Sequence, residues 1–285
     1  HAAADLYAAH KNMSVRPHLY SLLIIALAIK ASAAPFIVAH RGASQGAPEN
    51  TIPAFKLAWA QGADAIEGDF LLSADGEIVC IHDKNTKRVA KSNLTVVNST
   101  LNELLQLDVG SWQGEKWSGT RIPTASQVFA AVPRGKMIYI EIKCGSEIIP
   151  KLFDELRKSG LKNRQIVIIS FDSQVIFDVE SRHPQLKTIW LSGIKKSHGG
   201  KIVPTAETAL STLKRIKADG ISTKAHKLLD EKYISTIKNA GFEFHVWTVD
   251  DATAARRFAS MGVLSITTNK PDYIRKQLTG TSRSK

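Results

Sequence analysis

Cysteine is almost missing from this chain, with two residues in 285, Cys80 and Cys144. That excludes a disulfide framework and any site built from clustered thiolates. Aromatic residues make up only 7% and methionines number three. No apolar run approaches the ~20 residues that cross a bilayer. The longest, Leu19 to Ile29, is broken at Ser21. With 44% hydrophobic and 22% charged residues, the chain is neither disordered nor collagen-like nor a polytopic membrane protein. Acidic residues are the scarcer charge, 26 against 38 basic, giving a net +12. Such an excess favours an anionic partner, whether phosphate ester, lipid or nucleic acid. No helix-turn-helix, zinc pattern or aromatic RNA-binding motif accompanies it, so nucleic acid is not expected. A chain of this length buries roughly three quarters of its unfolded surface and needs no staple.

The first 33 residues read as upstream and targeting sequence. Residues 1–12 precede Met13, the first methionine. From Met13 follow a basic start at Arg16 and His18, the apolar run, and a small-x-small site at Ala31-Ser32-Ala33. A cleaved signal peptide is expected, leaving one domain over residues 34–285, exported to a periplasmic or extracellular space with no stable membrane insertion. A retained anchor is the alternative. Cys80 and Cys144 fall in strand-like runs, and a single disulfide requires those strands to be neighbours.

From Phe36 onward, short β-branched runs alternate with helical stretches. Strands are expected at 36–40, 65–70, 77–82, 137–143, 165–171, 187–192, 219–222, 243–249 and 263–267. Helices are expected at 52–61, 147–159, 173–181, 206–217, 231–240 and 251–259. That alternation means βα units and a mostly parallel sheet, and at this length an irregular α/β (β/α)8 TIM barrel. A doubly wound open sheet is the runner-up. Nine strands are one too many for the barrel. Only Leu71 to Gly76 separate the second and third, too few for a crossover helix, and Asp75-Gly76 is a turn dipeptide. Either the barrel is irregular there or these two runs form a hairpin. Residues 83–136 read as a small insertion between the third and fourth strands, a lid or subdomain over the strand ends.

Reactive side chains gather at strand ends: His40 with Arg41, Glu67 with Asp69, His82 with Asp83, and Glu141 with Lys143. Residues two apart in a strand share a face, so Glu67 projects with Asp69 and Glu141 with Lys143. Charges pointing into a barrel that is normally Val, Ile and Leu are costly and call for a function. Three oxygen donors, Glu67, Asp69 and Glu141, suit one hard divalent cation, Ca²⁺ or Mg²⁺. His40 and His82 can exchange protons at neutral pH, and Arg41 and Lys143 can meet a phosphate. Each alone is an ordinary strand-end polar group; their coincidence points to phosphodiester cleavage.

The text around these residues resembles the glycerophosphodiester phosphodiesterase family. The matching pieces are AHRGASQGAPENTIPAF from Ala39, ADAIEGDFLLSADGEIVCIHD from Ala63, LNELLQLDVGSW from Leu101, TRIPTASQVF from Thr120, YIEIK ending at Lys143, ISFD from Ile169, HVWTVDD from His245 and ITTNKPD from Ile266. The resemblance implies a TIM barrel that hydrolyses a small glycerophosphodiester to glycerol 3-phosphate and an alcohol. It places the catalytic histidines at His40 and His82, the metal carboxylates at Glu67, Asp69 and Glu141, and phosphate contacts at Arg41 and Lys143. It also puts Trp247 in the substrate pocket and gives Glu49 and Asn50 a bracing role. One departure is visible: the family commonly has Thr-Asp-x-Pro where this chain has Thr268-Asn269-Lys270-Pro271, and Asn269 reads as a structural helix cap. His40 is expected to be the base and His82 the acid, with water or a glycerol hydroxyl as nucleophile. Rival readings are a phospholipase D or sphingomyelinase D type of lipid cleavage and a non-catalytic binding protein. Nothing in the sequence specifies an oligomeric state.

Overall fold

The computed structural model describes residues 34–200 and 202–280. The signal peptide read at residues 13–33, and the residues before it, lie outside that range. In chain order the strands are β1 (Phe36–Ala39), β2 (Ala65–Leu72), β3 (Ile78–Cys80), β4 (Met137–Ile142), β5 (Ile166–Ser170), β6 (Lys187–Ser192), β7 (Lys195–Lys196), β8 (Ile202–Val203), β9 (Gly220–Lys224), β10 (Glu243–Trp247) and β11 (Ser265–Thr268). Eight of them (β1, β2, β4, β5, β6, β9, β10, β11) form a closed parallel ring. The ring is sealed where Phe36 aligns with Ser265 on one side of β1 and Val38 with Ala65 on the other. The expected TIM barrel is thus present. The surplus strand is β3, antiparallel to β2 with Phe70 opposite Cys80, and the turn at Asp75-Gly76 closes the hairpin.

The helices are α1 (Ile52–Ala60), α2 (Leu101–Leu105), α3 (Ala125–Ala130), α4 (Ile149–Ser159), α5 (Ser173–Arg182), α6 (Ala206–Ile216), α7 (Glu231–Asn239), α8 (Ala252–Ser260) and α9 (Pro271–Thr279). Apart from α2, they form the outer layer and bury apolar stripes against the ring. In α4 the buried residues are Ile149, Leu152 and Leu156, at the spacing of one helical face, and the helix stops at Gly160 in the left-handed region. Thr124 starts α3 with a reciprocal capping box to Gln127. No helix among the described residues is long and apolar enough to cross a membrane.

Residues 83–136 serve two purposes. The α3 segment is a barrel helix, its Val128 and Phe129 buried in one core with Phe55, Phe70 and Ile138. The preceding part carries a core of its own, in which Val89, Val96, Leu104, Val109 and Ile122 lie on Leu71, Val79 and Ile81. Lys195 and Lys196 pair with Val203 and Ile202 in a short antiparallel ladder and stay exposed.

The barrel interior is layered. Val38, Ala65, Tyr139, Val167, Ile169, Ile189 and Leu191 fill its middle. A polar layer lies towards the amino-terminal ends of the strands. There His245 is fully buried, with Ser265 Oγ at 2.7 Å from Nδ1 and Glu243 Oε2 at 3.2 Å from Nε2. This histidine is structural, in keeping with its place inside a strand. Cys80 and Cys144 are both free thiols, so no disulfide joins them.

Candidate active site

The site is built at the carboxyl ends of β1, β2, β3 and β4. The chain leaves β1 through two residues in the left-handed region, Arg41 at φ 56° and Gly42 at φ 82°. A side chain at Gly42 would meet the Ala54 carbonyl carbon at 2.6 Å, so glycine is required where this loop passes α1. The loop returns at Asn50, whose backbone N–H donates to the Arg41 carbonyl at 2.9 Å. Asn50 then grips Asp69 twice: its Nδ2 donates to Oδ2 at 2.7 Å, and its Oδ1 accepts from the Asp69 N–H at 3.1 Å. Glu49 accepts from Arg41 at 3.0 Å and from both terminal nitrogens of Arg88 at 2.8 Å. The bracing role implied for Glu49 and Asn50 therefore has a physical form: they hold Arg41 and Asp69 in place.

Glu67, Asp69 and Glu141 are buried and converge. One ligand-capable oxygen from each lies within 4.8 Å of the others. Parallel pairing of β2 with β4 sets Asp69 directly beside Glu141, which explains how residues so far apart in sequence meet. Glu67 Oε2 accepts the Arg41 N–H at 2.8 Å, while its Oε1 is buried without a hydrogen-bond partner. Burial, then the charges of Asp69 and Glu141, hold the Glu67 carboxyl well above the usual carboxylate range. Burial and Asp69 push Glu141 up to about 7. Burial acts the same way on Asp69, but Arg41 at 3.3 Å and Lys143 at 3.4 Å outweigh it and keep this carboxyl below its ordinary value. Lys143 also donates to Glu141 Oε1 at 2.7 Å. A buried, all-oxygen cluster with an orphaned lone pair and mutually repelling charges fits a hard divalent cation.

The two histidines flank this cluster and differ in their partners. His82, following β3, has Asp83 Oδ1 at 2.6 Å from Nδ1, and Arg88 Nε in turn donates to Asp83 at 2.7 Å. His40, at the end of β1, has Asn269 Oδ1 at 2.7 Å from Nδ1. Burial, then the neighbouring Arg41 charge, lower its basicity below the ordinary histidine value. One cavity of about 130 Å³ is lined by His40, Arg41, Glu67, His82, Glu141 and Lys143 on its polar side. Tyr139, Ile169, Phe171, Leu191 and Trp247 form much of the other side. Trp247 is fixed by an Nε1 hydrogen bond to the Ser222 carbonyl at 3.1 Å and meets Phe171 edge-on at 5.4 Å.

The eight residues to which the resemblance gives catalytic, metal, phosphate or pocket roles are thus brought together, seven on the cavity wall and Asp69 beside Glu141 in the carboxylate cluster. Trp112 and Trp117 of the insertion are not among the residues lining this cavity. The reading of Asn269 as a helix cap needs correction: α9 begins at Pro271, so the cap position falls on Lys270, and Asn269 faces His40 instead. Phe171 and Tyr139 are wall residues that sequence reasoning misses. Phe171 sits in the quoted ISFD text, but an apolar residue at a strand end carries no signal that distinguishes a pocket wall from core.

Oxygen donors flanked by imidazoles and cations, at the carboxyl end of a parallel barrel, are the equipment of a barrel enzyme that handles phosphate esters. Comparison with known proteins narrows that class. A sequence model of the glycerophosphoryl diester phosphodiesterase family matches residues 40–273, and the chain belongs to that family. It is similar to a glycerophosphodiester phosphodiesterase of Caldanaerobacter subterraneus subsp. tengcongensis, with 34% identity over 243 residues covering 84% of this chain and 95% of that one. Among solved structures, an Oleispira antarctica phosphodiesterase in complex with the product sn-glycerol-3-phosphate matches with a TM-score of 0.78 and 25% identity, over 87% of this chain and 98% of that one. A glycerophosphodiester phosphodiesterase from Agrobacterium tumefaciens matches with a TM-score of 0.72 and 27% identity, over 84% of this chain and 98% of that one.

Proposed function

We propose that this phosphodiesterase hydrolyses glycerophosphodiesters to sn-glycerol 3-phosphate and an alcohol, with a divalent cation held by Glu67, Asp69 and Glu141 and protons moved by His40 and His82. The observation that carries the reading is the small cavity shared by both histidines, two of the carboxylates, Arg41 and Lys143. Its volume of about 130 Å³ is smaller than the roughly 300–1,000 Å³ of pockets for drug-sized ligands, and suits a compact phosphate ester.

Glu67, Asp69 and Glu141 would hold Ca²⁺ or Mg²⁺, which supplies positive charge against the phosphate oxygens where negative charge gathers during displacement. Arg41 and Lys143 add to that charge from their places beside Asp69. His40, uncharged at neutral pH through burial and its Arg41 neighbour, accepts the proton of the attacking oxygen. His82 donates to the leaving alkoxide, its ring held by Asp83. The attacking oxygen belongs to water or to the neighbouring glycerol hydroxyl.

The test is release of glycerol 3-phosphate from glycerophosphocholine, run with EDTA and then with Mg²⁺ or Ca²⁺ restored. Cation-dependent release is expected. The half-exposed Phe171 at the rim favours a second reading, contact with an acyl chain in a phospholipase D type of cleavage. Choline released from a lysophosphatidylcholine, with the acylated glycerol phosphate as the other product, at a rate above that from glycerophosphocholine would support it. No turnover of any diester by folded, cation-loaded protein would sink both.

Export is inferred from the basic start, apolar run and Ala31-Ser32-Ala33 site alone. A protein recovered outside the cytoplasm with Ala34 at its amino terminus is the expected result. Retention of the segment in a cytoplasmic protein would overturn it.

A further inference from the structure

A chain of polar contacts runs behind His40, away from the carboxylate cluster. Asn269 Oδ1 lies 2.7 Å from His40 Nδ1 and also accepts from Ser44 Oγ at 2.8 Å. The other end of the same amide, Nδ2, donates to Asp250 Oδ2 at 2.6 Å. Asp250 is in turn clamped, because its Oδ1 accepts from the Asn269 backbone N–H and from Thr268 Oγ1, both at 2.8 Å. Asp250 follows β10 and Asn269 follows β11, so neighbouring strand ends of the ring hold the two residues together.

An ionised carboxylate only accepts hydrogen bonds. Asp250 therefore dictates which way the Asn269 amide points: the NH₂ group faces the carboxylate, and the carbonyl oxygen must face His40. A carbonyl oxygen also only accepts, so His40 must present an N–H to it from Nδ1. In a neutral imidazole the hydrogen then sits on Nδ1, and Nε2 keeps its lone pair for the cavity. Reversing the amide would bring two acceptors together at Asp250.

We propose that Asp250 and Asn269 are positioning residues that fix His40 in the Nδ1–H tautomer, with the Nε2 lone pair available to take a proton. The inference rests on the reading of His40 as a base and adds what sets its form. It also gives the departure from Thr-Asp-x-Pro a physical account. A carboxylate at position 269 would face Asp250 at hydrogen-bonding distance, two like charges with no donor between them. Amide and carboxylate must therefore be distributed over the two positions as a complementary pair.

The test combines ¹⁵N-histidine NMR on metal-free full-length protein with steady-state kinetics of the cation-loaded enzyme, His40 being assigned by difference with His40→Gln. Wild-type protein is expected to show a protonated-type Nδ1 and an unprotonated-type Nε2. Asn269→Ala should lose that single-tautomer signature and lower kcat at least about tenfold, part of the roughly 10²–10⁴-fold that positioned proton transfer contributes, with KM within about twofold. Asn269→Asp alone should also lose activity. The double swap Asp250→Asn with Asn269→Asp restores a donor facing an acceptor and should recover both the tautomer and most of kcat. A wild-type Nε2–H tautomer would overturn the proposal, as would an Asn269→Ala enzyme with unchanged tautomer and kcat. The double swap performing no better than Asn269→Asp would also overturn it. Because the NMR signature needs no turnover, failure of the hydrolase reading is seen separately.

Discussion

Replacing His82 or His40 by alanine is expected to lower kcat for glycerophosphocholine by roughly 10²–10⁴, the contribution of a positioned acid or base. Both rings reach the cavity from strand ends, and neither belongs to the apolar cores. His82 lies outside those cores, so its loss is expected to cost stability no more than about 0.5–1.5 kcal/mol, the worth of its hydrogen bond to Asp83. Activity and stability should therefore separate cleanly for this variant. The double variant is expected to fall little below the worse single one, because an acid and a base that serve one displacement act as a unit. Circular dichroism and a urea midpoint would confirm an intact barrel while glycerol 3-phosphate release is measured. Near-normal turnover in either single variant would remove that histidine from the chemistry. A stepwise, additive loss in the double would argue for two unconnected contributions.

The barrel is legible in the sequence because its physics is local. Each inner strand is a short β-branched run, and six of the outer helices show an apolar face at helical spacing. The hairpin of β2 and β3 is one of two readings that chain length leaves, since six residues cannot cross over with a helix. The outer helices that the pattern does not reveal have weaker local marks. Residues Ala125–Ala130 make only a short helix inside a polar stretch, and its barrel role depends on Val128 and Phe129 meeting Phe70 and Ile138. The helix at Pro271–Thr279 lies beyond the last strand, where no further strand brackets it. The candidate site is legible because charged residues at successive strand ends are costly unless used. Asn269 is hidden for a different reason. Its position before Pro271 is compatible with a cap, and only the packing of β1, β10 and β11 shows that His40 occupies its oxygen instead. A hydrogen bond across 229 positions has no local sequence signature.

The carboxylate cluster leads to a second large effect, with opposite signs for stability and function. Glu67→Gln keeps the shape of the side chain and an oxygen for the Arg41 N–H, while removing one of three crowded charges. Without a cation, that charge is opposed by burial and by Asp69 and Glu141. The metal-free variant is therefore expected to melt at or above the temperature of metal-free wild type. Its activity should fall by about 10² or more, since a bound cation is worth several kcal/mol of charge stabilisation in the transition state. Ca²⁺ or Mg²⁺ is expected to raise the Tm of the wild type, and that rise should be largely lost in the variant. A pH dependence follows from Glu141, whose folded-state value is pushed up to about 7 from an ordinary 4.5. Between those values the folded metal-free protein binds the proton more tightly than the unfolded chain, so this group's contribution is full below about 4.5 and is lost as pH rises towards 7. A cation needs the deprotonated carboxylate, so the increment in Tm on adding it should grow from about pH 5 to pH 8. Wild-type melting indifferent to both cations across that range would refute a metal site here. An undiminished shift in Glu67→Gln would remove Glu67 from the ligand set and leave Asp69 and Glu141 to hold the ion with other oxygens.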